Sequence, residues 1–288
     1  MKRMLVGLFA LVAAAAANAG DLRIISWNIE DATPHSKAKV IADVVKENKA
    51  DIVALQDVNV TPYNLVNDLT EAFGPDWKFK VTKSADNTRQ LAIAWNTKTV
   101  NLKKTKVPKA GAYEETSVQA GDHTINPAQI AYFQKGAYDF FLINVNLLRA
   151  WDKHDLKVAQ ANALHDWIAV RKKELSGTEN DFVVAGTFNF DQAGTSDQTS
   201  TSYQILEGNG LLTFVLKSTK AISYIGSWFH DDALMDGFAL SKPAVRHYVS
   251  NSAKVLPVDK KYESPDAYSY EVSDHLPVIA TFKTNFED

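Results

Sequence analysis

The 288-residue chain contains no cysteine. Disulfide frameworks, thiolate nucleophiles and thiolate metal sites are therefore excluded. A domain of this length buries enough apolar surface to fold without covalent staples. Internal repeats, low-complexity tracts and Pro/Gly-rich linkers are also missing, which points to one domain. Beyond the N-terminal segment, no stretch stays apolar for the ~20 residues that a membrane helix needs. Positive charge is not in excess either. Thirty-one Lys and Arg stand against 34 Asp and Glu, for a formal net charge of −3. That balance argues against a protein that coats nucleic acid through charge alone, though it permits a local basic groove.

What is present begins with a leader-like pattern. Lys2 and Arg3 precede an alanine-rich apolar run from Met4 to Ala17, and Ala17-Asn18-Ala19 has the small-residue form of a signal-peptidase site. The expectation is a signal peptide over residues 1–19, an exported protein that is periplasmic or secreted, and a single mature domain over 20–288. The mature part carries 29 basic and 34 acidic residues, a net charge of −5.

Strands and helices alternate along that domain. Apolar runs predict strands at Leu22–Asn28, Ile52–Leu55, Lys78–Thr82, Leu91–Trp95, Ile130–Gln134, Phe140–Val145, Phe182–Ala185, Phe238–Leu240 and Val278–Phe282. Helical spacing predicts helices at Lys37–Asn48, from Thr61 and Pro62 through Phe73 to a stop at Gly74, at Leu156–Leu175, and around Tyr203–Leu206. Gly136 marks a short hairpin, while Gly111–Pro127 and Lys242–Tyr268 read as long surface loops. Hairpins among the alternating elements predict mixed rather than purely parallel sheets.

Five predicted strands end in polar residues that a core does not need. "SWNIE" ends with Asn28 and Glu30, "ALQDV" with Gln56 and Asp57, and "INVNL" with Asn146. "AGTFNFD" carries Thr187, Asn189 and Asp191, and "VSDHLPV" places Asp274 and His275 before the last strand. Each alone has an ordinary explanation as a cap or a turn residue. In this order, "IISWNIE", "DIVALQDV", "VVAGTFNFD" and "SDHLPVIATF" resemble the endonuclease/exonuclease/phosphatase superfamily, a group that includes deoxyribonuclease-like enzymes. The resemblance covers nearly all of the mature chain and implies an α/β protein, a four-layered α/β/β/α sandwich.

The resemblance also implies a chemistry, hydrolysis of a phosphate ester. A divalent cation, usually magnesium, neutralises the phosphate charge and prefers oxygen ligands. Those ligands map to Asn28, Asp57 and Asp274. A histidine that accepts a proton from water maps to His275, and its carboxylate partner to Asp236 in "LMDGFALS". Asn189 maps to an asparagine that contacts phosphate. The substrate could be nucleic acid, phospholipid or inositol phosphate, and a protein partner is equally open.

Several positions depart from the family pattern. Thr187 stands where the family carries an aspartate, and its hydroxyl cannot take that proton-handling role. Asn146 stands where nuclease branches carry a histidine; it can bond phosphate but cannot carry a proton. Arg89 occupies a place where some branches have an acid, and Asp191 is a possible substitute carboxylate. Asp57 replaces glutamate and reaches ~1.5 Å less far, one carbon–carbon bond. Weak magnesium binding is expected, with calcium or manganese as alternatives. The readings that remain are a phosphoesterase of reduced or altered activity and a pseudoenzyme that binds a ligand or protein on the same scaffold. The aromatic loop "SYIGSWFHDD", with Tyr224, Trp228 and Phe229, could serve a ligand or the core.

Overall fold

The computed structural model describes residues 20–30, 35–58, 65–82, 90–103, 113–120, 123–148, 154–175, 180–190, 192, 197–216, 221–226 and 232–286. In chain order the elements are β1 (Leu22–Asn28), α1 (His35–Glu47), β2 (Ile52–Val58), α2 (Leu65–Phe73), β3 (Trp77–Val81), β4 (Gln90–Asn96), β5 (Asn101–Leu102), β6 (Tyr113–Ala120), β7 (His123–Lys135) and β8 (Tyr138–Asn146). They continue with α3 (His154–Glu174), β9 (Phe182–Thr187), α4 (Asp197–Glu207), β10 (Thr213–Phe214), β11 (Asp236–Leu240), α5 (Lys242–His247), β12 (Lys254–Val255), α6 (Pro265–Glu271) and β13 (Val278–Phe282). The predicted leader, Thr61, Pro62, Arg89, Asp191, Trp228 and Phe229 lie outside the described residues.

The strands form two mixed sheets. The first has six strands in the order β12-β13-β1-β2-β4-β3; the second has seven, in the order β10-β11-β9-β8-β7-β5, with β6 on β7. Parallel pairs lie at the centre of each, β1 with β2 and β8 with β9, and the remaining pairs are antiparallel.

Strand alternation divides the interior into three apolar layers. In β1, Leu22 and Ile24 face the second sheet while Ile25 and Trp27 face α1, α2 and α6. In β9, Val183 and Ala185 face the first sheet while Phe182 and Val184 face α3 and α4. The period of two is the direct result of the strand pleat. With one layer between the sheets and one under each helical face, the protein is a four-layered α/β/β/α sandwich. Tyr224, one of the aromatic-loop residues, is buried at 2% exposure and belongs to the interior rather than to an open surface.

Two expected loops are corrected. Residues 111–127 hold β6 and the start of β7, a hairpin that pairs through backbone groups and shows no apolar alternation in its sequence. The ladder shifts register between Thr116 and Val118. Pro127, which has no N–H, falls opposite that shift, where a bulge tolerates it. Residues 242–268 hold α5, β12 and most of α6. Both helices start at a serine followed closely by proline. Ser264 Oγ accepts the N–H of Ala267 at 3.1 Å, and Pro243 and Pro265 occupy first-turn positions. These are ordinary start signals hidden in a polar stretch.

Gly186 is required by the close approach of β8 and β9. It has φ +152, and an added Cβ would lie 1.9 Å from the Val145 carbonyl oxygen. Gly186→Ala should destabilise the fold by at least about 2 kcal/mol, because two paired backbones must separate. Urea denaturation of the purified variant measures this.

Candidate active site at one rim of the sandwich

On the face between the sheets, apolar side chains give way to polar ones toward one rim. In β1 the inward positions run Leu22, Ile24, Ser26, Asn28; in β8 they run Tyr138, Phe140, Leu142, Asn144, Asn146. Below the rim, Gln56 Nε2 donates to Ser26 Oγ at 3.2 Å and to Asn144 Oδ1 at 2.7 Å. Asn144 Nδ2 in turn donates to the Leu55 and Ala92 carbonyls and to Gln129 Oε1, at 3.0, 3.1 and 3.1 Å. This network ties the two sheets together by hydrogen bonds where their apolar contact ends. It assigns Gln56 to the junction of the sheets rather than to the open rim.

The strand registers place the rim residues in two facing rows. Asn28 pairs with Gln56 across β1 and β2. Asn146 pairs with Thr187 across β8 and β9, and Thr187 with Asp236 across β9 and β11. Asp57 joins the first row through an irregularity. The β2–β4 ladder shifts between Leu55 and Val58, and Asp57 has φ +52. A bulge of this kind re-aims a side chain. Here it brings Asp57 Oδ2 within 2.9 Å of Asn28 Nδ2.

A continuous hydrogen-bonded chain then crosses the rim. Asn28 Nδ2 also donates to Thr187 Oγ1 at 3.2 Å, Thr187 Oγ1 donates to Asp236 Oδ1 at 2.6 Å, and Asp236 Oδ2 faces His275 Nδ1 at 2.6 Å. Five residues from five distant segments are thus joined: Asp57, Asn28, Thr187, Asp236 and His275. Asp274 lies on the far side of the imidazole, with Oδ1 3.6 Å from Nε2. The Asp274 N–H donates to Glu30 Oε2 at 3.2 Å.

Asn189 sits just past β9 with φ +53, a conformation that asparagine tolerates better than most residues. Its Nδ2 bonds the Leu147 carbonyl and approaches Asn146 Oδ1 at 3.4 Å. Its Oδ1 is buried and has no hydrogen-bond partner. Lys157 Nζ lies 3.3 Å from the Asn189 carbonyl and brings a positive charge to this side of the rim.

His275 is gripped through its backbone as well. Its carbonyl accepts from Trp27 Nε1 at 3.1 Å and from Tyr268 Oη at 2.7 Å, and its N–H donates to Ser273 Oγ at 3.0 Å. Burial pushes the Tyr268 phenol well above its ordinary pKa, so it remains a donor. Ser273 Oγ donates to the Asn28 carbonyl at 2.8 Å and couples the two ends of the chain of contacts.

Ser223, Ser273, Asn144, Lys157 and Tyr268 were not singled out from the sequence. Ser223 opens the aromatic loop and Ser273 lies inside "VSDHLPV", but single serines carry no pattern. Asn144 was detectable, as a polar residue on the apolar inward face of β8.

A hard divalent cation can be tested against these side chains. Asp57 Oδ1 is buried without a hydrogen-bond partner, and Asn28 Oδ1 accepts only the Glu30 N–H, at 3.0 Å, leaving a second lone pair. By donor type these two oxygens suit a hard ion that retains several waters. Among the described residues, no three His, Cys, Asp or Glu side chains are close enough to hold an ion by themselves.

Burial alone would lower the pKa of His275. The Asp236 charge and hydrogen bond, aided by the charges of Asp274 and Asp57, outweigh it and raise the imidazole to about 8. Because the folded value lies above the ordinary 6.5, the associated stability is fully present below pH ~6.5 and is lost as pH rises through ~8. In metal-free protein, NMR should find the ring half-protonated near pH 8. Unfolding free energy should fall by about 2 kcal/mol between pH 6 and 9, a decline that His275→Gln should lack.

No protein-family model matches the sequence, and no curated protein matches it. Solved structures do match the fold. An endonuclease/exonuclease/phosphatase family protein from Bacteroides thetaiotaomicron superposes with a TM-score of 0.65 at 16% identity, covering 91% of this chain and 95% of that one. A mannosyl-6-phosphatase from the same organism gives 0.65 at 16% identity, over 91% of this chain and 99% of that one. TDP2 from D. rerio, complexed with a single-strand DNA product, gives 0.67 at 14% identity over 92% of this chain and 100% of that one. The chain therefore shares the fold of these solved structures, an endonuclease/exonuclease/phosphatase family protein among them.

Proposed function

We propose that the protein is an exported, metal-dependent phosphoesterase whose activity is reduced or altered by Thr187 and Asn146. The observation that carries this reading is the buried His275–Asp236 pair, with Nδ1 and Oδ2 2.6 Å apart, on the same rim as the unpartnered Asp57 Oδ1. A sandwich of purely structural purpose has no need of a charged pair at 3% and 0% exposure beside a second carboxylate.

Asp57 and Asn28 would hold the cation, with Asp274 close to the histidine side. When bound, a divalent ion neutralises phosphate charge and stabilises the leaving oxygen. Magnesium binding would be weak, given the short Asp57 side chain, and calcium or manganese could replace it. Asp236 fixes the His275 tautomer with the proton on Nδ1. In the neutral ring Nε2 then accepts a proton from water as its oxygen attacks phosphorus and the bond to the leaving oxygen breaks. Lys157 and the Asn146 carboxamide would bind the phosphate oxygens, while Asn189, whose Nδ2 donates to Leu147 and Asn146, would offer its unpartnered Oδ1 to a donor such as the attacking water. In the metal-free protein the imidazole is raised to about 8 and its neutral form is the minor one at pH 7; a bound cation would offset the Asp274 and Asp57 charges that contribute to this rise.

The likeness to a phosphatase and to a DNA-product complex supports phosphate esters as the substrate class, with nucleic acid, phospholipid and inositol phosphate as its candidates. The alternative is a pseudoenzyme that binds a ligand or protein partner. It is favoured by Thr187 and Asn146, which stand where the family pattern has proton-carrying groups and are instead engaged in hydrogen bonds with Asp236 and Asn189. Export rests on the leader-like residues 1–19. Among the described residues no helix is long and apolar enough to cross a membrane.

The experiment is hydrolysis of a generic phosphodiester, a phosphomonoester, DNA, RNA and phospholipid with magnesium, manganese or calcium at pH 7 and 9. Metal-dependent turnover should rise with pH and fall roughly 10²–10⁴-fold in His275→Ala. Turnover unchanged in that variant would overturn the mechanism. A folded protein inert toward all of these would overturn the hydrolytic reading and leave the binding reading in its place.

A further inference from the structure

The Asp236 carboxylate is fully buried, as are Thr187 and Ser223 beside it, each at 0% exposure. Its three side-chain partners divide between its two oxygens. Oδ1 accepts Thr187 Oγ1–H at 2.6 Å, while Oδ2 accepts Ser223 Oγ–H at 2.8 Å and faces His275 Nδ1 at 2.6 Å. We propose that Thr187 and Ser223 are positioning residues, a pair of hydroxyls that clamp the two oxygens of Asp236 and thereby orient the His275 ring. The catalytic consequence rests on the hydrolytic reading above; the clamp itself does not.

The direction of each hydroxyl proton follows from what surrounds its oxygen. Ser223 Oγ accepts two backbone donors, Met235 N–H and Asp236 N–H, both at 2.9 Å. Its lone pairs are occupied, and its single proton is left for Asp236. Thr187 Oγ1 accepts Asn28 Nδ2–H at 3.2 Å, and its single proton is likewise directed to Asp236. Neither hydroxyl can rotate away without leaving a buried donor or acceptor unmatched, at about 1–3 kcal/mol for each.

Asp236 is thus held from opposite sides by elements of different origin. Thr187 comes from the neighbouring strand β9, and Ser223 from the segment before β11 that also receives the Leu276 N–H on its carbonyl, at 2.7 Å. The imidazole faces a carboxylate that cannot swing, so its Nδ1–H is fixed and Nε2 is presented toward Asp274. A threonine at 187 therefore supplies an interaction that an aspartate cannot. Aspartate has no proton to give, and it would set a second carboxylate where a hydroxyl now stands 2.6 Å from Asp236 Oδ1. Two carboxylates that close cannot both remain ionised.

The deciding measurement is the His275 Nδ1–H proton resonance, together with the ring nitrogen shifts, in ¹⁵N-histidine-labelled protein. A short bond to a buried carboxylate should place that proton far downfield and slow its exchange with water. Thr187→Val and Ser223→Ala should each move it upfield or broaden it away while circular dichroism and the unfolding transition remain cooperative. Thr187→Ser, which keeps the hydroxyl, should restore it. Thr187→Asp should perturb it rather than leave it in place. Identical resonances in the wild type, Thr187→Val and Ser223→Ala would overturn the clamp, as would failure of Thr187→Ser to differ from Thr187→Val. If Thr187→Val does not fold, Ser223→Ala against the wild type decides. The signal reads the bond without turnover, so the clamp is tested even if the protein hydrolyses nothing.

Discussion

A carboxylate shut away from water constrains everything around it. Asp236 is the first residue of β11 and has no solvent contact, and an ionised group there is tolerable only when its oxygens are matched by donors. Those donors come from His275, Thr187 and Ser223, which reach it from the end of the chain, the neighbouring strand and the preceding segment. Meeting that demand requires β9 and β11 in their observed register, the Ser223 segment folded back on Asp236, and His275 turned inward. The bonds from Trp27, Tyr268 and Ser273 to the His275 backbone secure the last of these. The fold and the candidate site are in this sense one set of contacts.

The pleat supplies the rest. Because inward positions recur every second residue, a strand that is apolar between the sheets can continue into polar side chains at the rim without changing direction. The Gln56–Asn144–Gln129 network marks the transition. It matches the buried Gln56 and Asn144 amide N–H groups just where the apolar layer thins, and leaves Gln56 Oε1 without a partner. At the rim Asp57 departs from the alternation through the bulge in β2 and a left-handed backbone. Glu30, Asp57 and Asn189 are three of the six described non-glycine residues with positive φ, so half of this backbone strain is concentrated around one rim.

Much of this was legible beforehand. β1 and β13 have the bounds that their apolar runs predict, and α2 ends at Gly74 with φ +91 as the helix-stop pattern requires. The polar residues Asn28, Asp57, Thr187 and His275 could be picked out because they lie at the ends of apolar strands, whereas Asp236 was reached only through the family resemblance of "LMDGFALS". What escaped has physical reasons. The β6–β7 hairpin is held by backbone pairing, which side-chain patterning does not record. The helices after Ser241 and Ser264 are short and largely polar. Ser223 acts through a hydroxyl whose importance comes only from the carboxylate that tertiary structure brings to it. The bulge that turns Asp57 toward Asn28 exists only as a mismatch between two strands, and neither strand shows it alone.

The far pole of the sandwich has a different significance. Gly20 and Asp21 lie beside Lys283 and Thr284: Thr284 Oγ1 donates to the Gly20 carbonyl at 3.4 Å, and Lys283 Nζ is 3.3 Å from the Asp21 carboxylate. The buried pair of Lys135 and Asp51 anchors the same corner, with Lys135 also bonding the Asp21 carbonyl. From there β1 runs seven residues to Asn28, roughly 20 Å at the rise of a strand. Any tether joined before Gly20 therefore leaves the fold at the pole opposite the rim. A molecule held to a support or a larger body by that end would present its polar cleft outward, and the point of attachment would be sterically blind to whatever enters it.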